Sequence, residues 1–146
     1  MSKVAVIGVG QMGEVIAWAM KSLGHYVVGL DTQEDAEKRF QNIPGLNGVF
    51  YRLDKDKKFS QAITFEQPEV VISSLPYHQT EEVGKWCVEN GFRYCDLGGK
   101  VSVSESINKY AMKRAMSPVM TDLGLAPGWV NILAEEGYRK LYGSGE

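Results

Sequence analysis

The residues of this sequence most suited to chemistry begin with glycines spaced as G-x-G-x-x-G. The segment GVGQMG, residues 8–13, follows the apolar run 4–7 and opens a stretch with helical periodicity. In that context the first glycine permits a tight turn, the second leaves room for a pyrophosphate, and the third lets the helix approach the strand. Backbone amides at the positive end of the helix dipole face the anion. The residues predicted to bind a dinucleotide pyrophosphate are Gly8, Gly10, Gln11, Met12 and Gly13.

A carboxylate follows at roughly the twenty-residue distance expected for such a site. Asp31 ends the predicted second strand, 26–30, where it can accept hydrogen bonds from the adenosine ribose hydroxyls and would repel a 2′-phosphate. Thr32 and Gln33 come next, without an immediate Arg or Lys, so the sequence favours NAD over NADP as the cofactor. The alternative interpretation is that the three glycines only turn and pack the chain, and that Asp31 caps a helix.

Further candidates lie at the ends of the other predicted strands. Ligands of an open parallel sheet bind beyond the carboxyl ends of its strands, which share one edge. Candidates for the cofactor side of this edge are Asp31, Thr32, Asp54, Ser74, Leu75, Pro76 and Gly98. Candidates for a substrate-side loop are Asp96, Gly99, Gly124, Pro127, Gly128 and Trp129. Together they predict one continuous crevice.

Two side chains at this edge are weak candidates for catalysis. His78 could exchange a proton near a nicotinamide, although a lone histidine in such a loop is more often a cap or a solvated side chain. Lys100 could bind a substrate carboxylate, although a solvated lysine is the simpler interpretation. The sequence shows no Ser-His-Asp, metal or P-loop pattern. The catalytic residues are therefore left unassigned, and no metal is expected.

The pattern of the chain predicts a fold that brings these strand ends together. Strand-like runs at 4–7, 26–30, 49–53, 70–75, 94–97 and 118–121 are separated by helical or connecting segments. Such strand-helix-strand units form parallel sheets with right-handed crossovers. We predict an α/β fold: a Rossmann-type, doubly wound parallel sheet of about six strands with helices on both faces. It forms a single dinucleotide-binding domain over residues 1–142, with a flexible tail at 143–146.

Local signals predict several helix ends. Gly24 and Gly91 are expected to terminate the helices that precede the second and fifth strands. Thr32 is a candidate cap for a short helix after the second strand. Ser102 and Glu105 predict a capping box at the start of the helix after the fifth strand. The charged segment 54–58 and the residues after it are interpreted only as a connection to the fourth strand.

The length, composition and net charge of the chain exclude several classes of protein. A length of 146 residues with 44% hydrophobic content suits one soluble domain. The formal charge of −2, with acids and bases interspersed, predicts no nucleic-acid footprint and no anionic-membrane surface. The amino terminus fits neither a signal peptide nor a membrane span, so the chain is expected to be cytoplasmic. Cys87 and Cys95 match no metal or redox spacing and are expected to be buried free thiols.

Four motifs in order give the chain a family resemblance. They are AVIGVGQMG, VVISSLP, YCDLGG and DLGLAPGWVNILA, of which the last is the most specific. Over nearly its whole length the chain resembles the saccharopine dehydrogenase and lysine 6-dehydrogenase-like family. The resemblance implies that the glycine loop holds the pyrophosphate and Asp31 the adenosine ribose. It also implies that Asp54 lies near the adenine, with Leu75, Pro76 and Gly98 near the ribose and nicotinamide.

Members of that family use a nicotinamide cofactor to oxidise or form C–N bonds in amino-acid-derived amines, with a second α/β domain after the GLAPG region. The resemblance therefore implies the cofactor domain of an oxidoreductase acting on an amino-acid-derived small molecule. We expect it to be incomplete for catalysis without a substrate domain or partner. An apolar face around Trp129, Val130 and Leu133 predicts that a separate substrate domain or a twin subunit in a homodimer covers it.

Two functions of other classes stay open at this point. The first is a non-catalytic nucleotide-sensing or assembly module, in which the cofactor stabilises a protein interface. The second is an S-adenosylmethionine-dependent methyltransferase, because such enzymes also combine a glycine-rich first loop with an acid that ends the second strand. The full G-x-G-x-x-G spacing and the sixth strand with its GLAPG loop favour a dinucleotide instead.

Overall fold

All six strands lie in one parallel sheet. In the computed structural model, which describes residues 1–143, the strands are β1 (Lys3–Ile7), β2 (Tyr26–Asp31), β3 (Gly48–Arg52), β4 (Val70–Ser73), β5 (Arg93–Asp96) and β6 (Val119–Met120). Their order across the sheet is β3-β2-β1-β4-β5-β6, and every neighbouring pair is parallel. The chain therefore runs outward from β1 to one edge, returns to β4, and runs outward to the other edge. The predicted doubly wound α/β fold is confirmed.

Helices cover both faces of this sheet. They are α1 (Gln11–Ser22), α2 (Glu34–Gln41), α3 (Phe59–Glu66), α4 (Tyr77–Glu89), α5 (Val101–Arg114) and α6 (Trp129–Tyr142). Buried side chains of α1 and α2 pack with one face of the strands, and those of α3, α4 and α5 pack with the other. The reversal of direction at β4 places the later helices opposite the first two, because each crossover is right-handed.

The central strands explain why the sheet is buried on both faces. Ala5 and Ile7 of β1 belong to one core cluster, whereas Val6, between them, belongs to the cluster on the opposite face. Successive side chains of a strand alternate between faces, so a strand covered by helices on both sides must be apolar at every position. The uninterrupted apolar run of β1 is the sequence signature of that position.

Two predicted helix caps are wrong. The capping box at Ser102 and Glu105 does not form: α5 begins at Val101, and its N-cap residue, Lys100, makes no side-chain capping hydrogen bond. The next serine, Ser104, donates instead to Asp122 Oδ1 at 2.8 Å. Thr32 likewise does not cap α2, whose N-cap residue is Gln33. The local pattern therefore does not decide where these two helices begin.

α3 was not predicted from the sequence. It has only eight residues, and it buries Ala62 and Ile63 against the sheet. The amide of Lys58 donates to Gln61 Oε1 at 3.1 Å, which satisfies one donor at the helix start. A helix this short is marginal by propensity alone, so its stability comes from packing that the local sequence does not display.

Other local predictions hold with small changes. Gly24 and Gly91 follow their helices with φ of +81° and +74°, as expected for terminating glycines. Cys87 is buried, but Cys95 is only half-buried, so the prediction of two buried thiols is wrong for Cys95; both are free. Burial raises the pKa of Cys87 to about 12 and that of Cys95 to about 11.

Two expectations concern the chain as a whole. Across residues 1–143 no helix is both long and apolar enough to cross a membrane. The predicted flexible tail, 143–146, lies outside the described residues except for Gly143, which is the C-cap residue of α6.

Candidate cofactor site

The glycine loop connects β1 directly to α1. Gly8 donates its amide to Leu30 O at 2.8 Å, which fastens the start of the loop to β2. Gly10 is the N-cap residue of α1, and its carbonyl accepts the amide of Glu14 at 2.9 Å. The amides of Gln11, Met12 and Gly13 therefore precede the first helical hydrogen bond and point out of the helix end. These amides and the helix dipole favour an anion at this position.

Gly10 and Gly13 differ in what surrounds them. A Cβ atom built on Gly13 would lie 2.0 Å from Gly8 O, so only glycine allows α1 to approach the loop so closely. A Cβ atom on Gly10 would meet no heavy atom within 4 Å. The protein therefore leaves open space beside Gly10, directly in front of the helix amides. The spacing of the glycines predicts a pyrophosphate group for this space.

The Asp31 carboxylate is held against the glycine loop. Its Oδ2 accepts the amide of Val9 at 2.7 Å, and its Oδ1 accepts the amide of Gln33 at 2.9 Å. Val9 lies between the first two glycines of the motif, so the two sequence signals meet in one place. Each carboxylate oxygen keeps a further lone pair for a ligand hydroxyl.

A cavity of about 240 Å³ opens at the carboxyl edge of the sheet beside Asp31. Three predicted cofactor residues line it: Asp31, Thr32 and Leu75. The lining residues that were not predicted as site residues are Ile7, Leu30, Leu53, Phe59, Gln79, Glu82 and Val83. Phe59 was missed because it begins α3, which the sequence pattern did not reveal, and Gln79 and Glu82 lie on α4 without any motif that marks them.

The Asp54 carboxylate closes a turn. Its Oδ1 accepts the amides of both Asp56 and Lys57 at 2.8 Å, which closes a turn before α3. The hydrogen bond from Lys57 and then that from Asp56 lower the pKa of the Asp54 carboxyl. Asp54 is exposed and is not among the residues that line the 240 Å³ cavity.

The end of β4 packs beneath the glycine loop. The amide of Ser74 donates to Ile7 O at 2.8 Å, and a Cβ atom on Gly8 would lie 3.0 Å from the Ser74 carbonyl and from the Leu75 side chain. Pro76 is the N-cap residue of α4. This is the point where the strand order reverses, at which open α/β sheets bind their ligands.

Asp96 is buried, although the sequence placed it among the substrate-side residues. It is 2% exposed, and its carboxylate accepts three hydrogen bonds: from the amides of Gly98 at 2.8 Å and Asp122 at 3.1 Å, and from the Tyr94 hydroxyl at 3.1 Å. Burial and then the neighbouring Asp96 charge raise the pKa of Tyr94, which therefore stays a neutral donor. Asp96 thus ties together the loops after β5 and β6.

Two substitutions at Asp96 should separate the contribution of its hydrogen bonds to stability from that of its negative charge. We expect Asp96→Ala to lower the free energy of unfolding by about 2–5 kcal/mol, because it leaves buried donors without partners. Asp96→Asn should cost about 1 kcal/mol or less, since its carbonyl can still accept both amides. Urea unfolding of the two variants measures the difference. Equal losses in both would show that the charge, rather than the hydrogen-bond geometry, is what matters.

The remaining substrate-side residues surround that junction. A Cβ atom on Gly98 would lie 2.3 Å from Asp122 Oδ1, so the two loops touch at a glycine. Gly124 and Gly128 form a parallel bridge, and Gly124 O accepts the amide of Trp129 at 2.8 Å. Trp129 begins α6 and is exposed. The structure therefore brings Gly98, Gly99 and the loop containing Gly124, Pro127 and Gly128 to the same edge of the sheet.

The two weak catalytic candidates lie at this edge and are exposed. His78 is in the first turn of α4, and its Nε2 is 3.3 Å from the Gln79 side-chain nitrogen. Lys100 precedes α5, and its Nζ lies 5.4 Å from the centre of the Tyr77 ring. Among residues 1–143 neither side chain has a carboxylate partner, which a strongly activated acid or base usually has.

The sheet order, the glycine loop and the strand-end carboxylate are those of a Rossmann-type dinucleotide-binding domain. A family model described as the saccharopine dehydrogenase NADP binding domain matches residues 4–121. The chain belongs to this family, as the four motifs implied.

Solved dehydrogenase structures share the fold. Saccharopine dehydrogenase (L-Glu forming) from Saccharomyces cerevisiae aligns over 96% of this chain and 31% of its own, with 17% identity and a TM-score of 0.70. A WlbA dehydrogenase from Chromobacterium violaceum, in complex with NADH and UDP-GlcNAcA, aligns over 94% and 40%, with 16% identity and a TM-score of 0.67. Shikimate dehydrogenase from Mycobacterium tuberculosis aligns over 97% and 52%, with 13% identity and a TM-score of 0.63. The chain spans between about a third and a half of these proteins.

Proposed function

We propose that this chain binds NAD(H) in preference to NADP(H) and is the cofactor-binding unit of an oxidoreductase acting on C–N bonds of amino-acid-derived substrates. The observation that carries the proposal is the contact between the Asp31 carboxylate and the Val9 amide. It fixes an acceptor for ribose hydroxyls beside the open space at Gly10. A pyrophosphate at Gly10 and a ribose at Asp31 would then be neighbours, as they are in the cofactor.

The adenosine half suits the cavity beside Asp31. Leu53, Phe59 and Leu75 offer apolar surface for an adenine ring, and Asp31 and Thr32 supply polar groups at the rim. We expect the nicotinamide half to extend past Gly10 towards Pro76 and Gly98. The bound nicotinamide would supply or accept the hydride.

The preference for NAD rests on charge. Asp31 is a fixed anion where a 2′-phosphate would lie. Arg52 stands opposite Asp31 in the register of β2 and β3, and its Nη1 is 3.7 Å from Glu34 Oε2. The Arg52 guanidinium therefore already faces a carboxylate. The description of the family model names NADP. The relative affinity for NADH and NADPH is therefore the sharpest test of the proposed preference for NAD.

Calorimetric titration with NADH and NADPH tests cofactor binding and preference together. We expect NADH to bind at least about tenfold more tightly than NADPH, a difference of about 1.4 kcal/mol. Tighter NADPH binding would reverse the preference and leave the dinucleotide site in place. Binding of neither cofactor, together with binding of S-adenosylmethionine, would overturn the proposal in favour of a methyltransferase.

Catalysis should require a group that closes the nicotinamide face. Efficient hydride transfer needs a second reactant held against the ring in a water-poor site. The described residues leave His78, Lys100 and Trp129 exposed on that side. We propose that a substrate domain or partner supplies the cover and the catalytic acid or base. A non-catalytic assembly module is the second candidate, and the exposure of α6 favours it.

A further inference from the structure

Arg52 lies on the same face of the sheet as Asp31. Gly29 comes two residues before Asp31 in β2, and a Cβ atom built on it would lie 2.9 Å from the Phe50 side chain. Phe50 in turn comes two residues before Arg52 in β3. Side chains two residues apart in a strand share a face, and Asp31 and Arg52 are opposite each other in the register of the two strands. A guanidinium therefore stands beside the proposed ribose acceptor.

The Arg52 side chain has the chemistry that a 2′-phosphate requires. If the adenosine ribose binds Asp31, as proposed above, a phosphate on its 2′-oxygen lies close to this pair of strand ends. An arginine near the ribose site is how Rossmann-type domains accommodate NADP. Its planar set of N–H donors matches two phosphate oxygens at once. The preference for NAD therefore requires that something keep Arg52 from this role.

The Glu34 carboxylate lies between Arg52 and a second cation. Glu34 is the first residue of α2. Its Oε2 is 3.7 Å from Arg52 Nη1, and its Oε1 is 3.4 Å from Lys38 Nζ. A phosphate that bound Arg52 would have to displace this carboxylate and then stay beside its negative charge. Glu34 therefore both occupies Arg52 and repels the group that Arg52 would otherwise bind, which is how a site rejects one of two similar ligands.

We propose that Glu34 is a specificity-determining residue, which excludes the 2′-phosphate of NADP(H) by holding Arg52. This role rests on the proposed binding of the cofactor at Asp31, and it is separate from the charge of Asp31 itself. Asp31 is proposed to contact the ribose of either cofactor, whereas Glu34 acts only on the phosphate. Glu34 should therefore control the affinity for NADPH without altering the affinity for NADH.

Calorimetric titration of Glu34→Gln with NADH and NADPH tests this role. We expect NADPH affinity to rise by about tenfold, because Arg52 is released to the phosphate, while NADH affinity changes by less than about twofold. Glutamine keeps the length and the helix preference of glutamate, and exposed ion pairs contribute little to stability. The variant should therefore fold normally, which circular dichroism and thermal melting verify.

Glu37→Gln controls for the change in net charge. It removes the same charge from the same helix, but Glu37 Oε1 accepts the Gln41 side chain at 3.1 Å and makes no ion pair with Arg52. NADPH affinity should rise by about twofold or less, since charges outside direct contact are screened. A second variant, Glu34→Gln with Arg52→Gln, should lose most of the gain in NADPH affinity that Glu34→Gln alone produces.

The outcomes separate the role of Glu34 from the proposed function. Unchanged NADPH affinity in a Glu34→Gln protein that still binds NADH overturns the role of Glu34 and leaves the cofactor site in place. Equal gains from Glu34→Gln and Glu37→Gln also overturn it, because net charge alone then explains them. A gain that persists without Arg52 does the same. If the unmodified protein binds neither cofactor, the proposed function and the role of Glu34 are both wrong.

Discussion

Asp31→Ala should weaken NADH binding by about 10- to 100-fold, which corresponds to the loss of one or two hydrogen bonds to a charged group. The variant removes the acceptor for the ribose hydroxyls and also the acceptor that holds the Val9 amide at 2.7 Å. Both losses act on the same part of the cofactor, so the whole adenosine half should be affected. Calorimetry with NADH measures the change.

Asp31→Asn is the matched control for the charge. Its side-chain carbonyl can still accept the Val9 amide, so the glycine loop should keep its shape, while the exposed amide of Gln33 loses its acceptor. We expect NADH affinity to fall by only about fivefold, near 1 kcal/mol, because a neutral acceptor replaces a charged one. NADPH affinity should rise, since the anion that repels its 2′-phosphate is gone. If both variants bind NADH and NADPH with the affinities of the unmodified protein, Asp31 has no part in the site.

Gly10→Ala should abolish or strongly weaken cofactor binding in a protein that folds normally. The backbone of Gly10, with φ of −76°, is accessible to alanine, and the added Cβ atom would meet nothing within 4 Å in the protein. We expect the free energy of unfolding to change by about 1 kcal/mol or less, the usual cost of alanine at an N-cap. The methyl group would occupy the space proposed for the pyrophosphate, so NADH affinity should fall by at least about tenfold.

Gly13→Ala provides the contrasting result within the same loop. Its Cβ atom would lie 2.0 Å from Gly8 O and 2.9 Å from Gly8 C, both backbone atoms that cannot move aside alone. We expect the free energy of unfolding to fall by about 1–3 kcal/mol, the usual cost of overpacking, even though alanine favours a helix more than glycine does. Urea unfolding and calorimetry on both variants separate the two roles. Normal NADH binding by a folded Gly10→Ala protein would show that the pyrophosphate lies elsewhere.

Features with short-range causes could be predicted from the sequence. Gly8, Gly10 and Gly13 act through their own backbone and lack of side chains, and Asp31 acts through its position at the end of a strand. The alternation of strand and helix patterns was sufficient to predict a parallel sheet with helices on both faces. Contacts with distant partners could not be predicted: Ser104 donates to Asp122, 18 residues further on, and Asp96 accepts the amide of Asp122, 26 residues further on.

The sequence by itself determined the class of fold, the glycine loop and the carboxylate beside it, because hydrophobic period, turn residues and motif spacing are properties of neighbouring residues. Only the tertiary structure decided where the rest of the site lies. The cavity takes Leu53, Phe59 and Glu82 from three separate segments, and no local pattern records which of them converge. It likewise left α6 uncovered, because the burial of an apolar helix face depends on what packs against it and not on the helix itself.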